Sequence, residues 1–155
     1  MPADPQRRVD PDVDLHIAGD RGPLHGQVLA VVAVGGAVGS GARYGLAQAF
    51  PHGPGAFPWA TFGINVSGCL LIGVLIVAVT EVWDAHPLAR PFLGTGILGG
   101  FTTFSTYAVD ALTLAGDGHP RRALLYGGLT LVCALAAAAA GMRLTRGLAS
   151  ARVAP

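Results

Sequence analysis

Gly99-Gly100-Phe101-Thr102-Thr103-Phe104-Ser105-Thr106-Tyr107 lies in the middle of an otherwise apolar run that starts at Pro91. Two adjacent glycines at mid-run weaken a helix, and a break there frees several backbone carbonyls. In lipid such groups are tolerated only where they are buried in protein or coordinate something. Four hydroxyls follow, at Thr102, Thr103, Ser105 and Thr106. At helical spacing Thr102, Ser105 and Thr106 share one face, with Phe104 and Tyr107 together on its neighbour. Hydroxyls donate hydrogen bonds and the edge of an aromatic ring is its positive rim, so the stripe suits an anion. The same hydroxyls also serve as bonds between membrane helices, and the residues alone leave both roles open.

The rest of the chain supports a membrane setting. Of its 155 residues 52% are hydrophobic and 12% charged, with mean hydropathy +0.53, against about 25% charged in a soluble domain. A spanning helix takes about 20 apolar residues. Four such runs are legible, at about residues 28–49, 59–80, 91–114 and 122–142. Helices satisfy their own backbone in lipid, so the expected fold is all-α: four transmembrane helices with a break in the third. Trp59 and Trp83 bracket the second run as interfacial anchors. Gly35/Gly39, Gly41/Gly45 and Gly63/Ser67 place small residues four apart, which permits close helix approach. Residues 1–26 form a polar, proline-punctuated tail expected to be disordered, residues 27–146 the membrane domain, and residues 147–155 a short C-terminal tail. The start does not read as a secretory signal, because Arg43 interrupts the approach to Ala47-Gln48-Ala49 and the tail before it is acidic.

Single polar residues inside these runs carry the remaining chemistry. Asn65 is the one amide of the second run, and its NH2 can donate to an anion or across a helix interface. Tyr126 and Thr130 stand one turn apart on the fourth and extend the donor track. Arg43 is the only basic residue within an apolar run and Asp110 falls late in the third; both read as anchors or orienting groups. Cys69 and Cys133 are isolated packing residues rather than a disulfide or metal site. The five histidines lie outside the spans without ligand spacing, no catalytic set appears, and no basic patch with interleaved aromatics speaks for nucleic acid. With the distant Arg7 and Arg8 discounted, Arg21, Arg90, Arg143, Arg146 and Arg152 fall on the side of the tails, against Arg43, Arg121 and Arg122 on the other. That is a mild bias toward tails in the cytoplasm, weak enough for some copies to insert in the opposite sense.

Three motifs in order carry a family resemblance over about residues 28–142. They are Gly35-Gly36 through Gly39 to Arg43-Tyr44, Thr61-Phe62-Gly63-Ile64-Asn65-Val66-Ser67-Gly68, and Gly99 to Thr106. In these the chain resembles the Fluc (CrcB-type) fluoride channels. The resemblance implies a plasma-membrane dimer of oppositely oriented subunits, either a homodimer or a paralogous heterodimer, with two pores that let cytoplasmic fluoride flow out passively. It places Asn65, Phe104, Ser105, Thr106, Tyr107, Tyr126 and Thr130 along the pore. It also implies a structural sodium ion at the dimer centre, held by the backbone carbonyls of Gly99 and Thr102, and gives Arg43 a structural place on the first helix. Two departures stand out: Tyr107 where the family usually has Phe, and Ala134 where a further hydroxyl is usual. The competing expectation is a small four-helix multidrug or cation antiporter, which requires an intramembrane carboxylate.

Overall fold

In a computed structural model the described residues are 25–82 and 86–153, so most of the polar tail lies outside them. Among these residues every regular element is helical. The first helix, α1, is His25–Ala49. The second, α2, is Trp59–Val77, prolonged by a wide π-type turn at Ala78–Val82. The third run is divided. Wide turns at Pro91–Leu98 lead into a single α-turn at Gly99–Phe101, together α3, and α4 begins afresh at Phe104–Gly116. The last helix, α5, is Pro120–Val153. It continues straight through the segment read as the start of a C-terminal tail.

Three of these helices are long and apolar enough to cross a membrane: Gly26–Ala49, Trp59–Val82 and Pro120–Ala151. At 1.5 Å per residue the first two reach about 36 Å, a bilayer core with margin. In a single chain only 11–22% of the apolar window of each is buried. So large an outward apolar surface requires lipid or a partner to cover it.

The division of the third run falls at a different place from the one its glycines predict. Gly99 is helical, with φ −65° and ψ −38°, whereas Thr102 (φ −74°, ψ 157°) and Thr103 (φ −149°, ψ 119°) are extended. The glycines serve close packing instead. A Cβ on Gly100 would stand 2.5 Å from the carbonyl oxygen of Gly36, and one on Gly96 only 3.0 Å from the Gly35 Cα. On α1, a Cβ at Gly39 would overlap the Ile97 carbonyl. Of the three small-residue pairs legible in the sequence, only Gly35/Gly39 is used inside the chain; Gly41, Gly45 and Gly63 face open space. A second tight seam joins α2 to α5, where Gly73 lies against the Ala138 carbonyl and Gly141 against that of Leu70.

The ends are tied by polar contacts. Arg122 Nη1 donates to the carbonyl of Gly55 at 2.7 Å, fixing the α1–α2 turn, where Gly55 adopts φ +71°. At the far end Arg146 pairs with Glu81 at 2.7 Å.

Candidate functional site

Why the chain leaves the helix at Thr102–Thr103 follows from where its polar groups go. Asn65 on α2 grips the backbone of Thr103 on both sides: its Nδ2 donates to the Thr103 carbonyl at 3.0 Å, and its Oδ1 accepts the Thr103 N–H at 2.8 Å. In an unbroken helix that N–H would close on the carbonyl of Gly99. Thr103 then acts as the N-cap of α4, its Oγ1 accepting the Thr106 N–H at 3.1 Å. That N–H would otherwise serve the carbonyl of Thr102. Both carbonyls singled out by the family resemblance therefore lose their helical donors to side chains. Gly100 is different, since its carbonyl accepts from Arg43 Nε at 3.1 Å and Ser40 Oγ at 3.4 Å. The arginine of α1 thus ties down the last turn before the break.

Beside the break runs an open groove of about 360 Å³ between α2, α4 and α5. Of the predicted pore residues, Asn65, Phe104, Tyr107 and Thr130 line it, together with Thr102. Ser105, Thr106 and Tyr126 do not. Phe104 is 80% exposed, its ring touching that of Tyr107 at 5.7 Å between centroids. The aromatic row continues from Tyr107 to Tyr126 at 5.4 Å. Tyr126 is fully buried, standing edge-on to Phe57 at 5.3 Å.

The hydroxyls do not form the single helical stripe that their spacing predicts, because Thr102 and Thr103 have left the helix. They gather instead around Thr103, whose Oγ1 donates to Thr106 Oγ1 at 3.0 Å and lies 3.3 Å from Ser105 Oγ. Thr130 turns its hydroxyl back to the Tyr126 carbonyl at 2.7 Å, and Thr102 does the same to Leu98 at 3.0 Å. Asp110 accepts from Thr61 Oγ1 at 2.7 Å and from Tyr126 Oη at 3.4 Å, both on Oδ2.

Sequence reasoning counted Thr103 only among the hydroxyls, read Cys69 as a packing residue and gave Leu131 no role, yet all three line the groove. A signal for Thr103 existed: a Thr directly before a helical run is an N-cap signature. None marked Cys69 or Leu131, whose place in the groove depends on how α2 and α5 pack.

The family model for "CrcB-like protein, Camphor Resistance (CrcB)" matches residues 30–142. The chain belongs to the CrcB family. A Streptomyces avermitilis relative named "Fluoride-specific ion channel FluC 2" is 59% identical over 113 residues, 72% of each chain. A Streptomyces coelicolor relative named "Fluoride-specific ion channel FluC 1" is 54% identical over 110 residues, 71% of each. One from Nocardia farcinica, "Fluoride-specific ion channel FluC 2", is 48% identical over 119 residues, covering 77% of this chain and 85% of its own. The CrcB match takes in α1 through most of α5, including the whole groove and the break.

One departure within this CrcB chain has a visible contact. Tyr107 Oη donates to the Gly127 carbonyl at 3.0 Å, tying α4 to α5. Tyr107→Phe is expected to lower the thermal stability of the purified protein by about 1 kcal/mol, the net worth of one such bond, and to change ion flux by less than about threefold, since the ring stays in place. A loss of flux comparable to that of a pore-blocking change would show that the hydroxyl itself meets the ion.

Proposed function

We propose that this CrcB-family protein is a fluoride-selective channel of the plasma membrane, not an enzyme, through which cytoplasmic fluoride leaves passively. The observation that carries the reading is the groove in which the Asn65 amide and the rings of Phe104 and Tyr107 converge with no fixed cation among its lining residues. Fluoride is small and strongly hydrated, and each water it gives up must be replaced by a donor, at several kcal/mol per unmet group. Neutral donors meet that need while still letting the ion go, as conduction requires. The second N–H of the Asn65 amide is left for the ion, since the first is held by Thr103.

The outward apolar surfaces support a dimer, and the weak arginine bias supports an antiparallel one, with a second copy or a paralogue as partner. In that assembly α3 and α4 together act as a fourth, interrupted crossing, and each protomer contributes one groove to a pair of pores. The Gly99 and Thr102 carbonyls fit a structural sodium ion: Gly99 is exposed in the single chain, both oxygens have lost their helical donors, and hard oxygens favour hard cations. When bound, such an ion supplies positive potential between the two pores. Arg43 supports this arrangement through its bond to Gly100.

The antiporter reading fares worse on one point. The carboxylate of Asp110 accepts from Thr61 and Tyr126 on Oδ2 and lines a separate pocket under the α1–α2 turn, not the groove.

Liposomes loaded with potassium fluoride or potassium chloride test the proposal. Purified protein is expected to release fluoride at least about a thousandfold faster than chloride, a difference of about 4 kcal/mol between the two ions. Equal rates, or no flux from a folded dimer, would overturn it.

A further inference from the structure

The carboxamide of Asn65 holds both faces of a single peptide residue, a geometry that lining a pore does not require. It accepts the Thr103 N–H at 2.8 Å and donates to the Thr103 carbonyl at 3.0 Å. One turn further along α2, Gly68 leaves space that the Thr102 methyl fills; a Cβ there would overlap it. Thus α2 presents a clamp and a notch, three residues apart, to the two extended residues of the break. The amide takes the Thr103 N–H that a continuous helix would give to Gly99, and it holds the Thr103 carbonyl as well. Remove the amide and the N–H loses the acceptor that holds it away from Gly99.

Building on the reading of Gly99 and Thr102 as cation ligands, we propose that Asn65 is the positioning residue for that cation. By diverting the Thr103 N–H it keeps the Gly99 carbonyl open. One side chain therefore meets the anion in the groove and sets the cation cradle on the neighbouring helix. The two sites are coupled through the backbone of Thr103, without direct contact between the ions.

The test compares dimer dissociation of the full-length protein in sodium chloride and in N-methylglucamine chloride, after prolonged dialysis, with fluoride flux measured in parallel. Wild-type dimer is expected to dissociate at least about tenfold less readily in sodium, by mass action on the assembled state. In Asn65→Ser and Asn65→Leu, which cannot hold the Thr103 N–H, that ratio falls to about one. The first leaves a void and the second fills it, so a packing defect does not affect both alike. Asn65→Asp keeps the acceptor for the Thr103 N–H but sets its second oxygen against the Thr103 carbonyl, so it is expected to retain a reduced sodium effect, above that of Ser and Leu, while losing flux, since a carboxylate then faces the anion path. Failure of Ser and Leu variants to dimerise beside an assembled Asp variant also supports the clamp, because the retained acceptor is what separates them. A wild-type sodium ratio in the Ser or Leu variant would overturn the positioning role and leave the fluoride reading standing. A wild-type dimer that conducts fluoride yet is indifferent to sodium would overturn this inference together with the cation site, but not the channel.

Discussion

Phe104→Ile is expected to cut fluoride flux by about ten- to a hundredfold while leaving the folded protein unchanged. The two halves of that expectation rest on different observations. Phe104 is 80% exposed and lies on the groove; its ring meets that of Tyr107. A residue so little used by the fold can lose its ring at small cost to stability, well under the several kcal/mol of a buried Phe. The ion, by contrast, loses a positive ring edge for which isoleucine has no substitute. If that edge acts as a donor to a charged group, it is worth about 1.5–3 kcal/mol, which sets the range. Flux in liposomes beside the thermal midpoint of the same preparation checks both halves. Unchanged flux would move the anion path away from the groove; lost flux with an equally lowered midpoint would make Phe104 structural.

Gly39→Val is expected to do the reverse, destroying the fold and carrying function with it. A Cβ at Gly39 would overlap the Ile97 carbonyl and stand 2.9 Å from the Phe101 amide nitrogen. Both obstacles are backbone, so no rotamer change relieves them and the two helices must separate. Overpacking against movable side chains costs about 1–3 kcal/mol; parting a helix seam exceeds that, out of a total stability of about 5–15 kcal/mol. Because α1 also holds Gly100 through Arg43 and Ser40, the break would lose its anchor at once. Gly41→Ala is the control, since a Cβ there meets nothing within 4 Å among the described residues. Size-exclusion profiles and thermal midpoints in detergent should show loss of the folded species for Gly39→Val alone. A folded Gly39→Val protein with the wild-type midpoint would mean that α1 and α3 do not approach this closely.

How the site is legible differs from residue to residue. Asn65, Phe104 and Tyr107 stand out in the sequence alone, because an amide and two aromatics beside a glycine–hydroxyl run are chemically conspicuous among apolar residues. Tyr126 is conspicuous for the same reason, yet the fold buries it and turns its hydroxyl toward Asp110. Its periodic partner Thr130 reaches the groove wall but gives its proton back to its own helix. Hydroxyls in an apolar helix show the same pattern whether they face an ion or the carbonyl one turn back, and only packing separates the two.

The division of the third run marks the boundary most clearly. Composition and the apolar runs by themselves determined an all-helical, lipid-facing chain, since a backbone without water must bond to itself and an apolar surface must avoid water. They also determined that something interrupts the helix near Gly99. Where it breaks was decided by the tertiary structure. Glycine lowers the cost of leaving a helix but does not compel it, and here α1 packs so close to Gly100 that the glycines stay helical. The carboxamide of Asn65, 38 residues away, holds both the N–H and the carbonyl of Thr103, the Thr103 hydroxyl takes the N–H of Thr106, and with these side-chain partners the chain leaves the helix at the threonines.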